Sequence, residues 1–103
     1  MSSITIAGTS RPLRDANPAW INEQFHASLR SGRPPCVRVD IQAGDLRMIL
    51  QTPTCPASGG GGRMPNSEER RVLDLWNMEG LNNTKFTPRE VIDFLERLRQ
   101  IVR

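Results

Sequence analysis

The stretch Val37-Arg-Val-Asp-Ile-Gln-Ala-Gly-Asp-Leu-Arg-Met-Ile-Leu50 decides the fold. Val37, Val39 and Ile41 alternate with polar residues before Gly44-Asp45, and Leu46, Met48 and Leu50 do so after it. A two-residue turn at Gly44-Asp45 sets Ala43 against Leu46, Ile41 against Met48 and Val39 against Leu50, so these apolar side chains share one face. A three-residue loop would instead set Ile41 against Arg47. The two-residue register therefore predicts a hairpin over 37–51, with Arg38, Asp40, Gln42, Arg47, Ile49 and Gln51 on the other face.

The apolar face needs cover, and the flanking sequence supplies it. Asn17 is a good N-cap and Pro18 suits the first helical position. A helix over 18–31 follows, with Ile21, Phe25 and Leu29 as its stripe and Trp20 at the flank. Asn66 with Glu69 opens a helix over 67–79, with Val72, Leu73, Leu75 and Trp76 on its apolar face and Gly80 placed to end it. Thr87 with Glu90 forms a capping box, Pro88 takes the first helical position, and Phe86 and Val91 have the spacing of a hydrophobic staple. This last helix, over 88–102, carries Val91, Ile92, Phe94, Leu95, Leu98, Ile101 and Val102. Near the start, residues 4–7 (Ile-Thr-Ile-Ala) alternate as an extra strand would, whereas Gly8 to Asp15 breaks regularity. The expected architecture is α+β: a small sheet covered on one face by three helices, in one domain spanning 1–103. The Gly/Pro-rich stretch 52–65 is expected to be a flexible loop within it.

Composition narrows the function classes. The chain has 103 residues, enough to bury roughly two-thirds of the surface its unfolded form exposes, and its formal charge is +3. Lys85 is the sole lysine, so the basic character is arginine's, although a GC-rich coding sequence would give the same bias. No stretch is long and apolar enough for a membrane span, and no secretory leader opens the chain. A soluble cytoplasmic protein without membrane contact is expected.

Cys36 and Cys55 are too few for a secreted disulfide framework. The hairpin brings them near one another, since Cys36 faces Pro53 in the register above. A bridge is conceivable if the proline-rich ends converge, but two partly buried thiols, reduced in the cytoplasm, are the favoured reading.

Chemistry-bearing constellations are sparse. His26 stands off the apolar stripe with neither CxxC nor HxxxH spacing around it, and neither metal nor cofactor is expected. Nothing joins His26 to Cys36 or a serine as a catalytic set, so the protein is expected not to be an enzyme. Gly59 to Gly62, then Arg63, lacks the lysine and hydroxyl of a phosphate-binding loop and reads as linker. The last two helices are joined by a link longer than a helix-turn-helix uses, and Glu90, Asp93 and Glu96 intersperse the arginines of the second.

Two surfaces remain. The polar hairpin face, with Arg38, Asp40, Arg47 and Ile49, is the candidate site for a protein partner, because half-apolar faces and strand edges are where chains dock. The alternative is electrostatic nucleic-acid binding through Arg11, Arg14, Arg30, Arg33 and Arg38. No motif points to a known family, and the sequence leaves the oligomeric state open. It is read as a small non-catalytic binding or adaptor module.

Overall fold

Two tight turns build one four-stranded antiparallel sheet in the computed structural model of the chain, which describes residues 1–28, 32, 34–56 and 64–102. The central turn is the expected one. Strands β3 (Val37–Ala43) and β4 (Leu46–Gln51) pair with Ala43 opposite Leu46, Ile41 opposite Met48 and Val39 opposite Leu50. Gly44 has φ +59° while Asp45 does not enter positive φ, the pattern of a hairpin turn that wants glycine first.

The second turn corrects the reading of 8–15 as irregular. Ala7 and Gly8 both have positive φ, +52° and +86°, and they join β1 (Ser3–Ile6) to a further strand, β2 (Thr9–Pro12). Because β1 also pairs with β3, the sheet order is β2-β1-β3-β4. A short 3-10 turn, Leu13–Asp15, follows β2.

Alternation divides the sheet into two faces. Ile4, Ile6, Val37, Val39, Ile41, Leu46 and Leu50 are buried on one, beneath α1 (Pro18–Ser28), α2 (Ser67–Met78) and α3 (Pro88–Ile101). The helix starts are as expected, and α2 and α3 end one residue early. Positions 29–31 of the expected first helix, including Leu29, lie outside the described residues, as does Arg103. Asn17 caps α1 by accepting the Trp20 N–H at 2.8 Å. Asn66 and Glu69 bond reciprocally at the start of α2, at 2.8 and 3.0 Å. Gly80, at φ +79°, closes α2 with the paired bonds Leu81 N–H to Trp76 C=O and Gly80 N–H to Asn77 C=O, a Schellman ending.

One apolar cluster joins sheet and helices. Phe94 of α3 meets Trp76 of α2 edge-to-face at 5.2 Å, and Phe25 of α1 meets Phe86 at 5.8 Å. Such pairs add about 1 kcal/mol each to the area they bury. Arg99 of α3 donates to the carbonyls of Leu13 and Ala16 at 2.7 and 3.0 Å, tying the last helix to the segment before α1.

The start of the 52–65 stretch is bonded, not loose. Thr52 is buried; its N–H reaches the Val37 carbonyl at 3.0 Å and its hydroxyl takes the Val37 N–H at 3.1 Å. Thr54 Oγ1 donates to the Pro35 carbonyl at 2.9 Å. Residues 57–63 of the stretch, including Gly59–Gly62 and Arg63, lie outside the described residues.

Candidate functional site

Three helices cover one face of the sheet, and the opposite face carries the partner-binding candidates. Pairing arranges them in rows. Ser10, Thr5, Arg38 and Gln51 form one row across all four strands, Pro12, Ser3, Asp40 and Ile49 the next, and Gln42 with Arg47 a third on β3 and β4. Arg38, Asp40, Arg47 and Ile49 are thus brought together on one face.

Its character is polar apart from Ile49 and, on β2, Pro12. Thr5 and Ser10 share a hydroxyl bond of 2.6 Å, and Gln42 Nε2 reaches Asp40 Oδ1 at 3.5 Å. Ile49 is 50% exposed, unlike the alternate β4 residues Leu46 and Leu50, which are buried. Arg38 is exposed, and no ion pair among the described residues includes it.

The rim of this face is the outer edge of β4. Thr52 N–H donates inward to Val37, so even-numbered β4 residues bond to β3 and odd-numbered ones aim their backbone groups outward. Arg47 confirms the parity: its N–H leaves the sheet and meets Glu69 Oε2 at 3.0 Å. Ile49 N–H and C=O project from the same edge, and among the described residues they meet no partner. A depression of about 1000 Å³ follows the edge, bordered by Met1, Asp40, Met48, Ile49, Pro65 and Leu73.

Glu69 is the residue that sequence reading did not connect to this edge. It is 1% exposed and accepts two backbone N–H bonds, from Asn66 and from Arg47. Asn66 Nδ2 adds a bond of 3.0 Å to the Asp45 carbonyl, so the first turn of α2 is fastened to the hairpin tip. The capping box predicts the Asn66 bond; nothing in the spacing from 47 to 69 announces the other.

The described arginines of the nucleic-acid alternative do not share one face. Arg11 is opposite Ile4 in the register and stands on the helix-covered side, its guanidinium 5.2 Å from the Trp20 ring. Arg38 is opposite Thr5, on the other side. Arg14 approaches Asp15 at 3.9 Å. Arg30 and Arg33 lie outside the described residues.

The cysteines are where the reading as separate thiols is corrected. Cys36 and Cys55 form a disulfide with Cα atoms 4.5 Å apart. A turn explains it: Cys55 N–H bonds back to the Thr52 carbonyl at 3.0 Å, with Pro53 between them pre-set for the bend, and the chain swings Cys55 towards Cys36. Pattern alone places Cys55 two residues beyond the facing position because it assumes a straight continuation of β4.

His26 is exposed on α1. It borders a second groove of about 830 Å³ with Phe25, Pro34, Pro35, Phe86 and Thr87, whose hydroxyl is committed to the Glu90 carboxylate. No group of three or more His, Cys, Asp or Glu among the described residues could hold a metal ion. No helix among them is long and apolar enough to cross a membrane.

Comparison with protein-family models, with curated proteins and with solved structures returns no match in any of the three.

Proposed function

We propose that the protein is a small non-catalytic binding module that engages a protein partner through the open face of its sheet and the outer edge of β4. The observation that carries this reading is Ile49: a half-exposed aliphatic side chain between two arginine-bearing rows, on a strand whose outward backbone groups at that residue are unbonded among the described residues. Unpaired edges recruit strands, and an apolar residue ringed by polar ones suits a docking surface. The separation of Arg11 from Arg38 by the sheet weakens the competing reading, a continuous basic surface for nucleic acid.

The Cys36–Cys55 bridge bears on where the module works. Such bridges persist in oxidising compartments, whereas cytosolic thiols are kept reduced. The bridge therefore favours an oxidising setting over the cytoplasm, and the redox state of the two cysteines in native extract decides between them.

Site-specific photo-crosslinking tests the binding reading. A photoreactive residue at position 49 is expected to yield one dominant protein adduct in native extract, diminished by Arg38→Glu, while the same residue at exposed position 82 is expected to yield none. Equal adducts from both positions, or an adduct consisting of nucleic acid, would overturn it.

A further inference from the structure

We infer that Asn82 is an acceptor for an N-linked oligosaccharide, added in the oxidising setting that the Cys36–Cys55 bridge favours. The acceptor lies in the link between two of the helices that cover the sheet, apart from the docking face, and rests on the oxidising setting alone.

Asn82-Asn83-Thr84 places a hydroxyl residue two positions after an asparagine, with a residue other than proline between them, which is the pattern that glycosyl transfer to asparagine requires. No other asparagine of the chain has serine or threonine at that spacing. So short a motif takes its meaning from its context: a surface turn, side chains free to react, and a compartment that supplies the donor.

The turn meets the first two conditions. Buried Leu81 and Phe86 anchor the link between α2 and α3, and Asn82, Asn83, Thr84 and Lys85 between them are all exposed. Asn83 holds the bend, its N–H and its Nδ2 each reaching the Gly80 carbonyl at 3.3 Å. The Asn82 amide and the Thr84 hydroxyl, the two groups the motif specifies, bond to no described residue. The fold thus uses the side chain that the motif leaves arbitrary and leaves to solvent the two that it names. Asn17 and Asn66, by contrast, are committed as helix caps.

The bridge meets the third. Disulfides persist in the secretory pathway and outside the cell, and an asparagine acceptor of this pattern belongs to a surface loop of a secreted protein. Cys36 and Cys55 lie at the open end of the hairpin and Asn82 between two helices, so neither feature follows from the other.

The transfer is a substitution at the sugar. Asn82 Nδ2 bonds to the anomeric carbon of a polyprenyl-diphosphate-linked oligosaccharide, the bond from that carbon to the phosphate oxygen breaks, the amide gives up one proton, and the lipid diphosphate leaves with the electron pair. Geometry keeps the product clear of the docking edge. The first turn of α2 is fastened to the hairpin tip, and its 12 residues carry the chain about 18 Å along the helix before the link begins.

Mass spectrometry of the full chain isolated from its native source tests the inference. The tryptic peptide 72–85 is expected to carry a glycan on Asn82, which peptide N-glycosidase removes to leave aspartate. Asn82→Gln and Thr84→Ala, made in the same source, are expected to abolish the glycan, and Thr84→Ser, which restores the hydroxyl, to retain it. A bare Asn82 in a chain whose Cys36 and Cys55 are bridged, or a modification that survives Thr84→Ala, would overturn the inference and leave the oxidising setting standing. A bare Asn82 beside two free thiols would remove both.

Discussion

The buried carboxylate of Glu69 holds the backbone N–H of Arg47, an edge-strand amide, at 3.0 Å. One side chain thereby caps the first turn of α2, packs that helix against β4 and closes one end of an edge whose Ile49 backbone groups meet no partner among the described residues. Both carboxylate oxygens are in use, Oε1 for Asn66 and Oε2 for Arg47. Glu69→Gln turns one of them into an amide facing a donor and is expected to cost about 2 kcal/mol, and Glu69→Ala about 3 kcal/mol. Urea denaturation of the two variants checks this, and equal stability of all three proteins would contradict it.

The disulfide closes a loop with a sequence separation of 19. Cross-links of that span restrict the unfolded chain by about 3 kcal/mol. Reduction by a dithiol, or the paired change Cys36→Ser with Cys55→Ser, is expected to lower stability by about that amount. The hairpin register should remain, since the Val37 to Thr52 bonds hold its open end. Thermal unfolding with and without reductant provides the measurement.

Gly44 is the turn residue whose φ of +59° disfavours a side chain, although an added Cβ would meet nothing within 4 Å. Gly44→Ala is therefore expected to lose about 1 kcal/mol through backbone strain alone, and Gly44→Asn about as much, because the first position of this turn favours glycine over any side chain. A steric origin would instead make the larger asparagine the worse of the two.

Glu90 carries a pH signature. Its carboxyl titrates below the ordinary glutamate range, chiefly because the Thr87 hydroxyl bonds to it, with the Thr87 N–H and the Arg89 charge adding in the same direction against some desolvation. A depressed folded-state value means that the contribution is fully present above the unfolded value, near 4.5, and is lost as pH falls through the lower folded value. The stability difference between the natural chain and Thr87→Ala should accordingly be constant at neutral pH and shrink in acid. A difference that grows as pH falls would reverse the assigned sign.

Much of this arrangement is written in the alternation of Val37 to Leu50 and in the caps at Asn17, Asn66 and Thr87, because period-two burial and helix capping are local rules. The open face follows from the same register, and so do the positions of Arg38, Asp40, Arg47 and Ile49 upon it. What escaped is less local. Thr9–Pro12 has no apolar alternation, and its strand rests on backbone pairing through a turn at Ala7-Gly8, where alanine gives little warning of positive φ. Arg11 and Arg38 look clustered in sequence, yet the strand pairing sends them to opposite faces. The bridge between Cys36 and Cys55 depends on the bend at Pro53, and the Glu69 contact depends on how α2 lies across β4.

Amide hydrogen exchange in the isolated monomer tests the open edge most directly. Arg47, bonded to Glu69, and Met48, bonded within the sheet, should exchange slowly, while the Ile49 amide, which meets no partner among the described residues, should exchange far faster. An Ile49 amide as protected as Met48 in the free monomer would contradict the proposal that this edge awaits a partner.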